Sequence, residues 1–269
     1  MQLGITLPST MKIGDFFFII VLLAVFVVLS RAEILPPEDT LPRYLCRWTD
    51  KPVLVDGRLD ESAWESAPAV TFRNATDGSP AIQGTEAKIL YNDEMIVFSY
   101  SCADRLITST LTKRDSDLWK EETVEAFICP TGDLRFYYEF EVNPLGALLD
   151  LTVKNNFDPN RGSRGISGDY AWNGPGIQWA ARREELGDQA TGWTVELAVP
   201  FAAMERSTPQ AGEMWRANLF RIDSGGPTPD EFTAWSPTFK KPAAYHHPQY
   251  FGFLEFSAKA GVEEFESLR

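Results

Sequence analysis

The sequence predicts an all-β protein: an antiparallel β-sandwich with one short N-terminal helix and long loops. Three observations carry that prediction. About ten or more short runs alternate apolar and polar residues at close spacing, as strands with one buried face do. A helical pattern is confined to one short stretch near the start of the folded region. Eight Trp and eighteen Phe in 269 residues supply enough bulk for one large core. No internal repeat and no second-domain signal is visible, so a single sandwich is expected over residues 43–256.

The N-terminal segment lies outside that fold. Phe16 to Leu29 is a run of fourteen residues without a charge, preceded by Lys12 and followed by Ser30-Arg31-Ala32. A spanning helix needs about 20 such residues. The length and the small residues at the end therefore read as a cleaved signal peptide over 1–32, with an uncleaved anchor as the alternative. Met11 could serve as the start. Residues 33–42, EILPPEDTLP, form a Pro-rich acidic linker.

The strands follow in order. Tyr44 to Trp48 is a short strand, and Val53 to Val55 a second, ended by the turn pair Asp56-Gly57. Asp60 is placed to cap a short helix over Glu61 to Ala67, with Trp64 inward. Glu86 to Tyr91 and Met95 to Cys102 form a hairpin across Asn92-Asp93-Glu94. Thr123 to Cys129 buries Val124, Ala126 and Ile128 and turns Glu125 the other way. Arg135 to Asn143 separates Phe136, Tyr138, Phe140 and Val142 from Arg135, Tyr137, Glu139, Glu141 and Asn143. Ala147 to Lys154 closes this trio. Asn155 to Gly176, with five glycines and two prolines, reads as a long surface loop.

Ile177 to Arg183 returns to strand. Trp193 to Val199 is the cleanest alternation in the chain, and Pro200 ends it before one helical turn over Phe201 to Met204. Met214 to Ile222, Phe232 to Trp235 and Gly252 to Phe256 complete the sandwich. Trp64, Trp193 and Trp215 fall in register with apolar neighbours and read as core. Residues 257–269 form a polar, frayed tail.

Charge narrows the function. Lys plus Arg total 25 against 38 Asp plus Glu, a formal net charge of −13. Nucleic acid requires a basic footprint, and anionic lipid a basic patch, so both are poor partners. An exported protein suits the balance. Cys46, Cys102 and Cys129 allow either one disulfide plus a thiol or three buried thiols. Asn74-Ala75-Thr76 is a glycosylation sequon in a eukaryotic secretory pathway.

Seven blocks taken together resemble carbohydrate-binding module family 9 and related DOMON-like sandwiches. They are VDGRLDESAW (from Val55), TVEAFICP (from Thr123), YYEFEVNPLG (from Tyr137), GWTVELAVPF (from Gly192), WRANLFR (from Trp215), AWSP (from Ala234) and HHPQYFGFLEF (from His246). They occur in the family's order and cover nearly the whole exported chain. The resemblance implies a jelly-roll-like sandwich that binds sugar without chemistry, found with secreted glycosidases and sometimes holding structural calcium. It also implies two aromatic rings that sandwich a sugar, falling here on Trp119 and Tyr245, and a central carboxylate falling on Glu125. At Glu139 and Glu141 this chain departs from the glutamine and arginine of the family's sugar binders.

The candidate site follows from simple chemistry. Pyranose C–H faces stack on aromatic rings, and carboxylates accept hydrogen bonds from hydroxyls. Trp119 stands in a polar setting at the edge of the acidic strand. Glu125, Glu139 and Glu141 share a face if their strands are neighbours, either as hydroxyl acceptors or as a calcium site; the plain alternative is a solvated face countered by Arg135, Arg216 and Arg221. Arg216 and Asn218 could complete the face. Tyr245 and His246 are further candidates, and so is Trp172 in the glycine-rich stretch, unless it only pins that stretch to the sandwich. Asp56, Asp60 and Glu61 do not have the spacing of an EF-hand calcium loop.

The sequence therefore predicts a secreted, non-catalytic domain that binds a sugar terminus or polysaccharide in extracellular carbohydrate catabolism. Three other classes compete. A glycosidase needs two opposed carboxylates, and acids on an open sheet face lack the burial that raises a pKa. GxSxG and HExxH are absent, and the two histidines are neighbours, His246 and His247. A haem domain would draw on Met95, Met204 or Met214 with one of those histidines. A structural or protein-interaction module at the cell surface would keep the sandwich and lack a coherent aromatic pair.

Overall fold

A computed structural model describes residues 35–186, 189–226 and 229–259. Fourteen strands are seen among the described residues. They are β1 (Arg43–Trp48), β2 (Val70–Thr71), β3 (Arg73–Asn74), β4 (Thr85–Tyr91), β5 (Met95–Ala103), β6 (Thr123–Cys129), β7 (Phe136–Val142), β8 (Leu148–Asp158), β9 (Gly162–Asp169), β10 (Gln178–Leu186), β11 (Gln189–Pro200), β12 (Met214–Asp223), β13 (Glu231–Ala234) and β14 (Gly252–Phe256). One layer runs β10-β11-β5-β4-β1 and the other β1-β14-β12-β6-β7-β8-β9. β1 joins them: Arg43 to Cys46 pair with β14, and Arg47 and Trp48 pair with β4. Both pairings of β1 are parallel, and the other strand pairs are antiparallel. The expected sandwich is therefore correct, with one strand serving both sheets.

Alternation explains the core between the sheets. β11 and β5 direct Trp193, Val195, Leu197 and Ile96, Phe98, Tyr100 inward. From the opposite sheet come Val124, Ala126 and Ile128, then Tyr138, Phe140 and Val142, then Trp215, Ala217 and Leu219. The rings meet edge to face, as at Trp215–Phe256 with centroids 4.9 Å apart. Each buried side chain of this size contributes roughly 1.5–3 kcal/mol through removal from water.

The hairpin at β4–β5, the turn Phe201–Met204 and the inward Trp64 are as expected. Four readings change. Val53 to Val55 has no strand partner and packs as coil beside Trp64. The short helix is a 3₁₀ turn over Ser62–Ser66, with Glu61 rather than Asp60 at its N-cap and no capping side-chain bond. The glycine-rich stretch is largely the β8–β9 hairpin, which turns on Asp158 accepting bonds from Asn160 and Arg161. β9 is an edge strand exposed on both faces, so it carries no apolar alternation to read. The start of the tail is anchored: Ser257 N donates to Cys46 O, and Lys259 pairs with Asp93 at 2.6 Å.

Cys46, Cys102 and Cys129 are buried free thiols, the second of the two arrangements considered. The signal-peptide reading of 1–32 lies outside the described residues. Among the described residues, no helix is long and apolar enough to cross a membrane.

Candidate functional site

The outer face of the larger sheet carries the candidate acids. Strand register brings Glu125 directly opposite Glu141, and places Phe127 opposite Glu139. Flanking strands add Phe220 beside Glu125, and Leu149 and Leu151 beside Glu141 and Glu139. A solvated face was the plain expectation here. Instead Glu125, Glu139 and Glu141 are 2%, 4% and 1% exposed. A second core of Leu118, Phe127, Tyr137, Phe220, Tyr245 and Phe251 covers much of the face.

Two coverings make it a cleft. The first is the segment after β13. Asn218 holds its start, donating from Nδ2 to Ser236 O at 2.8 Å and accepting from Ser236 N at 3.0 Å. Arg216 holds its end, donating to Phe251 O at 3.0 and 2.6 Å from Nε and Nη2. Between them Tyr245 stacks on Phe220 at 4.1 Å and donates to Arg221 O. His246 follows, with Nδ1 2.8 Å from the Tyr137 hydroxyl. The second covering is the loop before β6, tied by Asn143 Nδ2 to Leu111 O at 2.7 Å. Its 3₁₀ turn buries Leu118 and leaves Trp119 on the rim.

The cleft between them has a volume of about 390 Å³. Glu125, Glu139 and Glu141 form its floor. Trp119, Ile166 and Tyr170 line one side, and Ile222, Phe232, Ala244, Tyr245 and His246 the other. Trp119 and Tyr170 have ring centroids 6.1 Å apart and are 36% and 50% exposed. A depression of similar size, about 410 Å³, lies near Phe72 and Arg73. It offers one carboxylate, Glu86, and its one ring, Phe72, is buried, so it lacks the chemistry of the first.

The floor has an uncommon charge state. Burial raises Glu139 to about 7. Burial, then the Glu139 charge, raises Glu125 well above the carboxylate range. Burial, then the charges of Glu125 and Glu139, does the same to Glu141. The expectation that these acids lack such burial is corrected: a strand's period reports which side a residue faces, not what lies over it. Burial also lowers His246 to about 4, so it is neutral at pH 7 and supplies no counter-charge. Among the described residues, Glu125 Oε1, Glu139 Oε2 and both Glu141 carboxyl oxygens have no hydrogen-bond partner. Glu141 lies beside the Trp119 N–H and the Glu139 carboxyl without a well-formed bond to either. Such groups are costly to bury unless something pairs with them.

Six of the nine residues singled out from the sequence therefore line one cleft: Trp119, Glu125, Glu139, Glu141, Tyr245 and His246. Arg216 and Asn218 lie on the same sheet face, but covering chain uses up their hydrogen bonds. Trp172 packs on Tyr138 and Phe140 at 5.2 and 6.1 Å, on the opposite side of β7, and borders a separate hollow. The exposed ring beside Trp119 is Tyr170, which sequence reasoning missed. Its signal was an aromatic in a polar stretch, two residues before the one chosen. Tyr245 is 8% exposed and shapes the wall more than it offers a free ring face.

Among the described residues, three acid groups have the geometry to hold a metal ion. In the group Asp104, Glu122 and Asp223, Arg221 Nη2 lies 3.0 Å from Asp104 and 3.4 Å from Asp223, and Glu122 accepts from Thr108 N and Oγ1. In the group Asp56, Glu61 and Glu196, the Glu196 carboxylate accepts from Asp56 N, Gly57 N and Trp64 Nε1. Gly57 supplies its N–H from φ +82°, where an added Cβ would sit 3.2 Å from Ala181 and Arg182. The third group is the cleft floor, with four unpartnered oxygens against one each in the other two acid groups. None of Met95, Met204 and Met214 lines the cleft that holds His246, which leaves the haem reading without a ligand pair there.

Comparison with known proteins gives a family and a shared fold. The model of carbohydrate-binding family 9 matches residues 57–256. An extracellular protein of Arthroderma benhamiae is 30% identical over 194 residues, covering 70% of this chain and 85% of that protein. A Bacteroides uniformis protein provisionally classed as carbohydrate-binding has a similar fold, with a TM-score of 0.60, 19% identity, and coverage of 81% of this chain and 97% of that one. So does a family 9 module of Caldicellulosiruptor kristjanssonii solved with cellotriose, with a TM-score of 0.57, 12% identity, and coverage of 82% and 96%. At these identities the structural likeness is one of fold.

Proposed function

The chain belongs to carbohydrate-binding family 9, and from that premise we propose that the carboxylate-floored cleft is where this carbohydrate-binding domain takes its sugar. The observation that carries the proposal is the pairing of a carboxyl floor holding unpartnered oxygens with exposed rings above it. Trp119 and Tyr170 stack on a pyranose face, with Tyr245 closing the far wall. Glu125, Glu139 and Glu141 accept hydrogen bonds from the sugar, which supplies the donors that those buried oxygens lack. His246, held by Tyr137, fixes the lip of the cleft.

The domain acts without catalysis. A glycosidase sets its two acids on opposite sides of the scissile bond. Here the three carboxylates lie together on one floor, and the opposing walls are aromatic and aliphatic. The extracellular relative supports export, with residues 1–32 as the leader. Outside the cell the domain serves carbohydrate breakdown, holding a glycan near a secreted glycosidase. Calcium, where present, has a structural part, and Glu61 Oε2 is an unpartnered oxygen in a group of suitable shape.

Calorimetric titration against mono- and oligosaccharides, including the cellotriose bound by the Caldicellulosiruptor module, tests the site. Saturable binding that Trp119→Ala abolishes, at an unchanged melting temperature, is the expected result. Absence of binding to every saccharide, with and without calcium, would favour a protein-interaction module instead. Sequencing the N-terminus of the secreted protein tests the leader; Glu33 is the expected first residue.

A further inference from the structure

We propose that the cleft selects a cationic sugar, a hexosamine with a free ammonium group, over neutral sugars. This rests on the cleft being the sugar site and names the class of sugar it prefers.

The argument starts from what the floor lacks. Glu125, Glu139 and Glu141 each bring a carboxylate oxygen to within 4.8 Å of the others. Among the described residues, no lysine or arginine lines the cleft. The groups facing the acids from the surrounding elements are Tyr170 after β9, Tyr245 and His246 after β13, and Tyr137 on β7. None of them carries positive charge at neutral pH: His246 is held neutral by burial, and the three phenols have no cationic form. Other acid groups in the protein are treated differently. Arg221 neutralises Asp104 and Asp223, and Arg114 reaches Asp150. Elsewhere the fold gives buried acids cations or N–H donors, as at Glu196 and Glu231, and these three carboxyls keep four oxygens without either.

The shape says what kind of cation fits. A bare metal ion would meet the carboxylates but leave the aromatic and aliphatic walls without a partner. Calcium also requires six to eight oxygens, and the rest of the lining is mainly hydrocarbon and ring. An ammonium on a pyranose satisfies both halves. Its three N–H donors point at three acceptors, and the ring that bears it lies against Trp119 and Tyr170. Hydrogen bonds between ionised partners are about twice as strong as neutral ones. A neutral hydroxyl at the same position brings no charge against which the buried carboxyls can ionise. An N-acetyl group is uncharged as well, so it too leaves them without a cation. The raised carboxyl pKa values fit this: a cation in the cleft draws those groups to their ionised form, and their protons leave to solvent.

The test is calorimetric titration of the wild-type protein at pH 7 with glucosamine, N-acetylglucosamine and glucose, in chelator. Glucosamine is expected to bind at least ten-fold tighter than either other sugar, about 1.4 kcal/mol. Glu141→Gln is expected to bring the ratio of glucosamine to glucose affinity toward one, whatever it does to the absolute affinities. Equal or tighter binding of glucose than of glucosamine would overturn the selectivity and leave the sugar site standing. Binding of no sugar would overturn both. A glucosamine signal that requires added calcium would overturn the direct ammonium contact. The comparison of sugars uses the unaltered protein, so it stands even if the variant fails to fold.

Discussion

Two buried acid triads have opposite fates: Asp104 after β5, Glu122 before β6 and Asp223 at the end of β12 form one, and Glu125 on β6 with Glu139 and Glu141 on β7 the other. Arg221, which is 1% exposed, pairs with Asp104 and Asp223 and also donates to Ala103 O, while Glu122 accepts from Thr108 N and Oγ1. Gln83 adds a further donor to Asp223. Glu125, Glu139 and Glu141 have no cation and four orphaned oxygens. The first triad is closed by the protein's own chain, and the second opens on a cleft with rings at its rim. The difference separates structure from recognition. A buried carboxylate whose partner lies within the fold serves stability, and one whose partner is missing beneath an open cleft is a candidate for a ligand.

The comparison can be broken at its closed half first. Arg221→Met removes the cation from the first triad and is expected to cost roughly 3–5 kcal/mol, read as a lower urea midpoint. A loss below about 1 kcal/mol would mean that Arg221 is not what neutralises those acids.

The next largest effect is on pH. Glu122, Glu139 and Glu196 are raised to about 7, and Glu125 and Glu141 well above their ordinary value. A raised group contributes stability that is full below its unfolded pKa and is lost as pH rises through the folded one. His246, lowered to about 4, has the opposite sign: its contribution is full above its unfolded value and is lost on acidification. Five groups outweigh one, so the melting temperature is expected to be higher at pH 5.5 than at pH 8. Replacing Glu125, Glu139 and Glu141 by Gln should flatten part of that slope. A profile that rises toward pH 8 would contradict the burial of these acids.

The open half is sharpened by Glu141→Gln. A carboxamide adds donors where the fold supplies none, so stability at pH 8 should hold or rise by about 1 kcal/mol. Thermal melts of wild type and variant check this. Trp119→Ala is expected to have the smallest effect on stability, within about 0.5 kcal/mol for a rim residue. Its sugar affinity should nonetheless fall at least ten-fold.

Much of this architecture was legible in the sequence. The alternation of Trp193, Val195, Leu197 and Val199, and of Glu125, Glu139 and Glu141 with their apolar neighbours, determined which face each residue took. Strand pairing then brought the acids together. Three features were not legible. β9 is exposed on both sides and glycine-rich, so no periodicity marked it, and Tyr170 was missed with it. Val53 and Val55 alternate like a strand but find no partner backbone. The burial of the acidic face depends on chain from Ser236 to Phe251, far from β7 in sequence and tied down by Arg216 and Asn218. Those two polar residues looked like ligand contacts because a strand pattern cannot distinguish solvent from a covering loop.

The central claim is that the unpaired triad meets the sugar and the paired one does not. Carbon NMR of protein labelled at the Asp and Glu carboxyls, titrated with saccharide, tests it most directly. The carboxyls of Glu125, Glu139 and Glu141 should shift together and saturably, while Asp104, Glu122 and Asp223 stay still. Shifts confined to the Arg221 cluster, or saturable binding that leaves all three cleft carboxyls unmoved, would contradict the assignment.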